Sequence, residues 1–135
     1  MHLTSLQVGA DVRNVKVGDE VMGVARFGGY TQDIVVDSRQ LFAVHEGWSM
    51  RDGAAFLCTA LTAWYGLHNI GRLKAGQLVA IQSAAGGVGM AATEIVLGMG
   101  GVPLCIVGSE AKVDVLLQRW RALRCLVSHE PPHES

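Results

Sequence analysis

Leu78-Val79-Ala80-Ile81-Gln82-Ser83-Ala84-Ala85-Gly86-Gly87-Val88-Gly89 is the stretch on which the fold turns. Leu78 to Ile81 is a continuous apolar run, of the kind buried on both faces in a parallel sheet, and it leads straight into a glycine-rich turn. Beyond the turn Val88, Ala91, Ala92, Ile95 and Val96 fall three or four residues apart, which makes one apolar helix face that stops at Gly98 and Gly100. A second apolar run, Val102 to Val107, carries Pro103 at its start, where a strand tolerates it. Strand, glycine turn, helix and strand compose a βαβ unit. A last helix follows, capped by Ser109, with Val113, Leu116, Leu117, Trp120 and Leu123 on one face.

Upstream, Ser49 caps a helix with Asp52 three residues on, and apolar residues continue to Leu67 before Gly71. From Lys16 to Val44 the apolar residues come in strand-favouring runs, Val21 to Ala25, Tyr30 to Val36 and Leu41 to Val44, with Gly28-Gly29 as a turn. These read as small antiparallel strands. His129 to Ser135, with Pro131-Pro132, reads as an unstructured tail. The fold class is α/β, a partial parallel sheet in βαβα order preceded by a partial antiparallel segment.

Composition narrows the function classes. The 135 residues are 50% hydrophobic and 17% charged, which excludes disorder and a coiled coil. Eleven basic against twelve acidic residues leave a net charge of -1, so the field that nucleic acid or an anionic membrane surface requires is missing. Three well-separated cysteines, Cys58, Cys105 and Cys125, point to a reducing compartment, and the N-terminus has no signal-peptide pattern, so the cytoplasm is expected. The uncharged stretches Gly53 to Gly71 and Ala75 to Thr93 are too polar and too glycine-broken for a membrane span.

The turn Ala84-x-Gly86-x-x-Gly89 matches a dinucleotide fingerprint with alanine at its first position. Such a site needs a tight turn, a residue without a side chain where backbone meets pyrophosphate, and a third small residue for helix–strand packing. The amides opening the next helix then face the phosphates, with Ala84, Ala85, Gly86, Gly87, Val88 and Gly89 as the cradle. Twenty residues past Gly89, where an acid would favour NADH, the sequence reads Gly108-Ser109-Glu110-Ala111-Lys112. Ser109 at the discriminating place and Lys112 one turn on favour NADPH, while Glu110 keeps NADH open and Ser109 has a second reading as a helix cap.

Val17-Gly18-Asp19-Glu20-Val21, Gly28-Gly29-Tyr30, Ala60-Leu61-Thr62-Ala63 and Ser83 to Gly89 together resemble the medium-chain dehydrogenase/reductase superfamily. The branch resembled is that of the zinc-free quinone oxidoreductases and enoyl reductases, over about Val8 to Trp120. The resemblance implies partial GroES-like catalytic-domain strands over 1–50, a partial Rossmann dinucleotide-binding domain over 51–126 and a flexible tail over 127–135. It implies NAD(P)H-dependent reduction of a small-molecule quinone or activated double bond by hydride transfer, with Thr62 beside the nicotinamide and Ser109 with Lys112 at the 2′-phosphate. It also makes a homo-oligomer an open expectation. Thr62 has an equally plain reading as a buried helix threonine bonded to its own backbone, and the Gly18-Asp19 and Gly28-Gly29-Tyr30 matches read as turn formers.

Cys58 aligns with a zinc-ligand position of the zinc-dependent relatives, but zinc catalysis needs three protein ligands, and a small buried hydrophobe is the preferred reading. Cys125, His129 and His133 are spaced by four, and Pro131-Pro132 breaks the helix that would align them. His45 and His68 read as surface or packing residues, and Tyr30 and Tyr65 as packing residues, so no proton donor is assigned. After Trp120 the glycine turn and third parallel strand of the family are not evident, so the chain reads as the middle of a larger enzyme. A non-catalytic nucleotide-binding or interaction remnant, or an inert truncated product, stands as the alternative. With two strands alone, the isolated chain is expected to be unstable or to associate.

Overall fold

The computed structural model describes residues 1–121 and 123–128. Contacts divide the chain into two compact units, Met1–Cys58 and the part from Thr59 onward. The first unit holds a three-stranded antiparallel sheet in the order β1-β2-β3, from β1 (His2–Thr4), β2 (Glu20–Gly23) and β3 (Leu41–Ala43). Val21 pairs with Leu3 on one side and Ala43 on the other. Gly18 turns the chain into β2 with φ +92°, a left-handed value that suits glycine. Asp19 closes the turn, its carboxylate accepting from the Lys16 amide at 2.8 Å.

One sequence expectation is corrected in this unit, and one strand is added to those expected. Tyr30 to Val36 is not a strand: Thr31 folds onto the Asp33 carbonyl at 3.0 Å, and Tyr30 and Val35 are fully exposed, so no partner strand draws the run into a ladder. A strand forms instead at His2–Thr4, where three residues give too short a pattern to read. Helix α1 (Met50–Trp64) begins as expected at Ser49 and passes into a wider, π-helical turn, Tyr65–Ile70, closed by the Gly71 amide on the Gly66 carbonyl at 2.8 Å.

The second unit carries β4 (Leu78–Gln82), α2 (Gly87–Gly98), β5 (Val102–Val107), α3 (Glu110–Arg119) and β6 (Arg124–Val127). β4, β5 and β6 form one parallel sheet in chain order, so the expected βαβα unit is in fact βαβαβ. The third strand went unread because it has no glycine turn before it and only three apolar residues, Cys125-Leu126-Val127. Pairing with β5 supplies what its sequence does not announce. Residues 127 and 128, expected in a flexible tail, are instead held to the sheet: Val127 lies in β6 and the Ser128 amide donates to the Val107 carbonyl at 2.8 Å. Residues 129–135, with His129 and His133, lie outside the described residues. Pro103 sits one residue ahead of the first β5–β6 pair, Leu104 with Arg124.

The core of this unit is Ile81, Ala84, Ala92, Val96, Cys105, Val107 and Leu116, with Val113, Trp120, Cys125 and Val127 packed around it. Of the expected face of α2, Ala92 and Val96 are buried and Ala91 and Ile95 pack against the core, while Val88 is exposed; Gly89 and Thr93 are buried as well. Among the described residues no helix is long and apolar enough to cross a membrane.

Candidate functional site: the glycine turn and its cavity

β4 ends at Gln82 and the chain reverses through Ser83, whose φ of +50° is rare for a residue with a side chain. The Gly86 amide bonds back to the Ser83 carbonyl at 2.8 Å, and the Ala84 amide donates to the Ile106 carbonyl of β5 at 3.1 Å. The turn is thus anchored to two strands before α2 starts, with Gly86 in extended conformation as its N-cap. The glycines have separate steric reasons. A Cβ at Gly89 would lie 2.4 Å from the Ser83 carbonyl oxygen and 2.6 Å from the Ala84 Cα, so only glycine lets α2 approach β4. A Cβ at Gly87 would stand 3.0 Å from Thr59 Cγ2, and one at Gly86 3.2 Å from the Ser83 oxygen.

A cavity of 620 Å³, in the range of small-molecule sites, opens at the carboxyl ends of the three parallel strands. It is lined by Ser83, Ala85 and Gly86 of the glycine turn, by Val107 and Gly108 at the end of β5, by Lys112 of α3 and by Ser128 after β6. Among the described residues Lys112 is its one charged lining residue, and no carboxylate lines it. The amides at the start of α2 and a lysine across the opening make the electrostatics suit an anion. Open α/β sheets bind ligands at this end of the strands.

The structure brings Ala85, Gly86 and Lys112 together. Ala84 is fully buried beneath the turn, and Gly87, Val88 and Gly89 belong to the first turn of α2 without lining the cavity. Ser109 is the N-cap of α3; its carbonyl accepts from the Lys112 amide at 3.1 Å, while its hydroxyl makes no capping hydrogen bond. Thr62 lies near the end of α1, exposed, and is not among the lining residues. Ser83, Gly108 and Ser128 are lining residues that sequence reasoning missed. The signal for Ser83 was its place as last residue before the fingerprint, and for Ser128 its place after a short apolar run.

Tyr30 is fully exposed and Tyr65 more than half exposed, which corrects the expectation that both pack. His68 stacks on Trp64 at 4.5 Å between ring centroids, and His45 lies beside Trp48 at 5.8 Å, both exposed or nearly so. Cys58, expected to be buried, is exposed on α1. Among the described residues no three His, Cys, Asp or Glu side chains are grouped to hold a metal ion.

No family profile matches the chain. The phenolphthiocerol synthesis polyketide synthase type I Pks15/1 of Mycobacterium bovis is 40% identical over 111 residues, 82% of this chain and 5% of that protein. Among solved structures, CurK enoyl reductase superposes with a TM-score of 0.88 at 30% identity, over 96% of this chain and 38% of that one. The quinone oxidoreductase of Thermus thermophilus, solved also in complex with NADPH, gives a TM-score of 0.75 at 27% identity, over 80% of this chain and 36% of its own. The chain therefore spans less than two fifths of the length of each of these proteins. Over the part it covers, the chain matches the medium-chain dehydrogenase/reductase superfamily, on its branch of quinone oxidoreductases and enoyl reductases.

Proposed function

We propose that the chain supplies the dinucleotide-holding part of an NADPH-dependent reductase that acts, without zinc, on a quinone or on an enoyl-type double bond. One observation carries the reading: a glycine turn that sterics forbid to any other residue at Gly89 opens onto a cavity whose single charge among the described residues is Lys112. In this reading the amides of Ala85, Gly87 and Val88 take the pyrophosphate, the Gly86 amide being held by Ser83, and Ser109 and Lys112 take the 2′-phosphate. NADPH bound to the Thermus relative supports the choice of cofactor. Lys112 lines the cavity whereas Ser109 and Glu110 do not, so the charge at the opening is positive, which supports NADPH over NADH.

The sheet runs in chain order, so β4 is an edge and the described strands contain no reversal of order. Dinucleotides lie across such a reversal. The cavity therefore suits the adenosine phosphate half, with the nicotinamide extending past the β4 edge, where the resemblance puts Thr62. The nicotinamide supplies hydride to an electrophilic carbon, and this chain's residues bind and orient it. The proposed organisation is a GroES-like segment over 1–50 and a Rossmann segment over 51–126, in a cytoplasmic enzyme whose association into oligomers is part of the proposal.

The test is titration of NADPH and NADH against the full polypeptide carrying this chain and its Lys112→Ala variant. Loss of one charge-assisted contact predicts roughly tenfold weaker NADPH binding with NADH altered less than about twofold. Equal weakening of both would remove Lys112 from the 2′-phosphate. A polypeptide that binds NADPH yet oxidises it with no member of a quinone and enone panel would instead favour a non-catalytic nucleotide-binding role.

A further inference from the structure

Cys105 and Cys125 lie outside the cavity, yet they are register partners on adjacent parallel strands, so their side chains leave the same face of the sheet. Cys105 is wholly buried, 0% exposed, in the middle of the core, while Cys125 is half-buried on the edge strand. The Thr93 hydroxyl donates to the Gly89 carbonyl at 2.9 Å, so its oxygen is left to accept from the Cys105 thiol, 3.6 Å away. This contact fixes the Cys105 sulfur. Burial, then the proximity of Cys105, with which it shares a hydrogen bond, pushes the Cys125 thiol above its ordinary value. Pairing in register on one face of the sheet makes the two thiols neighbours at the edge of the core.

We propose that Cys105 and Cys125 form a redox-labile pair that a peroxide converts to an interstrand disulfide, stapling edge strand β6 to β5. The order of events follows from access. Cys125 meets solvent, so the small thiolate fraction that burial leaves it attacks the peroxide, slowly; the O–O bond breaks, giving a Cys125 sulfenic acid and water. The Cys105 sulfur then attacks the Cys125 sulfur; the S–O bond breaks, the S–S bond forms and the second oxygen leaves as water. Two thiols lose two hydrogens and two electrons, and one peroxide becomes two waters. Cys105 reaches no oxidant directly, so it is the resolving thiol. Neighbouring parallel strands hold directly paired side chains slightly farther apart than a relaxed disulfide, so the bond forms under strain and a dithiol reductant reverses it.

The staple has a defined place. It lies two residues before Val107 and three before Ser128, which are joined by a hydrogen bond and share the cavity lining. Oxidation would fix that wall.

The test is tryptic mapping of the native polypeptide after graded hydrogen peroxide. Each cysteine falls in its own peptide: Cys58 in 52–72, Cys105 in 75–112 and Cys125 in the peptide beginning at residue 125. The expected product is 75–112 cross-linked to the Cys125 peptide, removed by dithiothreitol, with amide exchange in β6 slowed about tenfold or more. Cys125→Ser should abolish the cross-link and leave Cys105 reduced; Cys105→Ser should carry Cys125 on to sulfinic acid. Oxidation of Cys125 to sulfinic acid in the wild type with Cys105 still reduced would overturn the proposal, as would a cross-link through Cys58. These readouts need no cofactor, so they stand or fall separately from the dinucleotide reading.

Discussion

The two faces of the β4–β6 sheet are built from the same three strands, alternate residues apart, and they meet different fates. On one face Ile81, Cys105 and Val107 are buried under α2 and α3, with Cys125 and Val127 beside them. On the other, Leu78, Ala80, Leu104, Ile106 and Leu126 belong to no core, and Leu78 and Leu126 remain 58% and 53% exposed. Strand sequence cannot distinguish these faces, since both are apolar. Parallel sheets are ordinarily covered on both sides, and each cover must come from helices. The expectation that Leu78 to Ile81 is buried on both faces is therefore met on one side only. A strand reports that it can be buried; the helices present decide whether it is.

The largest way to break the packed face is at its closest approach. Gly89→Val would drive a Cβ into the Ser83 oxygen and Ala84 Cα, both backbone atoms that cannot rotate aside. The expected cost is at least about 3 kcal/mol, together with loss of NADPH binding, as measured by denaturant unfolding and titration. Gly108→Ala is the contrast, because a Cβ there meets nothing within 4 Å. An unchanged unfolding midpoint in Gly89→Val would refute the close docking of α2 on β4.

A sharper comparison truncates the same residue type in both settings. Leu116 is fully buried on α3, and Leu116→Ala should cost about 2–5 kcal/mol by leaving a void. Leu126→Ala on the open face should stay within about 0.5 kcal/mol. Similar losses at both positions would mean that the second face is covered in solution, and the comparison between faces would fail.

How much of this was legible follows from the range of the contacts involved. The fingerprint Ala84 to Gly89, the cap at Ser49 and the core residue Leu116 were readable, because a turn, a cap and a helix face are set by neighbours within a few positions. The exposure of Val88 was not, since the residue of the first turn that faces β4 is Gly89, in contact with Ser83 and Ala84, although Ala91, Ala92, Ile95 and Val96 keep to the helical period. β6 was missed because four residues owe their strand to β5. Tyr30 to Val36 departs for the opposite reason: a run of β-favouring residues forms no strand where no partner lies alongside. In the site, Lys112 and Gly86 were found from spacing, whereas Ser128 enters the cavity only through β6.

The smallest expected effect touches neither face, and so serves as their control. At the start of α1 the Asp52 carboxylate accepts from the Ser49 hydroxyl at 2.6 Å and from the Ser49 amide at 2.9 Å, while the Ser49 oxygen accepts from the Asp52 amide at 3.2 Å. The hydroxyl bond first, then the amide bond, holds the Asp52 carboxyl below its ordinary value of 3.8. A carboxyl depressed in the folded state favours folding while it is ionised. Its contribution is complete above the unfolded value and fades as pH falls through the folded one. Asp52→Ala should therefore lower Tm by about 1–3 °C at pH 7, with the difference from wild type shrinking toward zero as the carboxyl is protonated in acid, below its ordinary value. Asp52 is exposed, so salt should diminish little of this, because short hydrogen bonds rather than distant charges carry it. A Tm difference that persisted unchanged in acid would show that Asp52 acts through helix propensity, and the reciprocal cap at Ser49 would lose its role in starting α1.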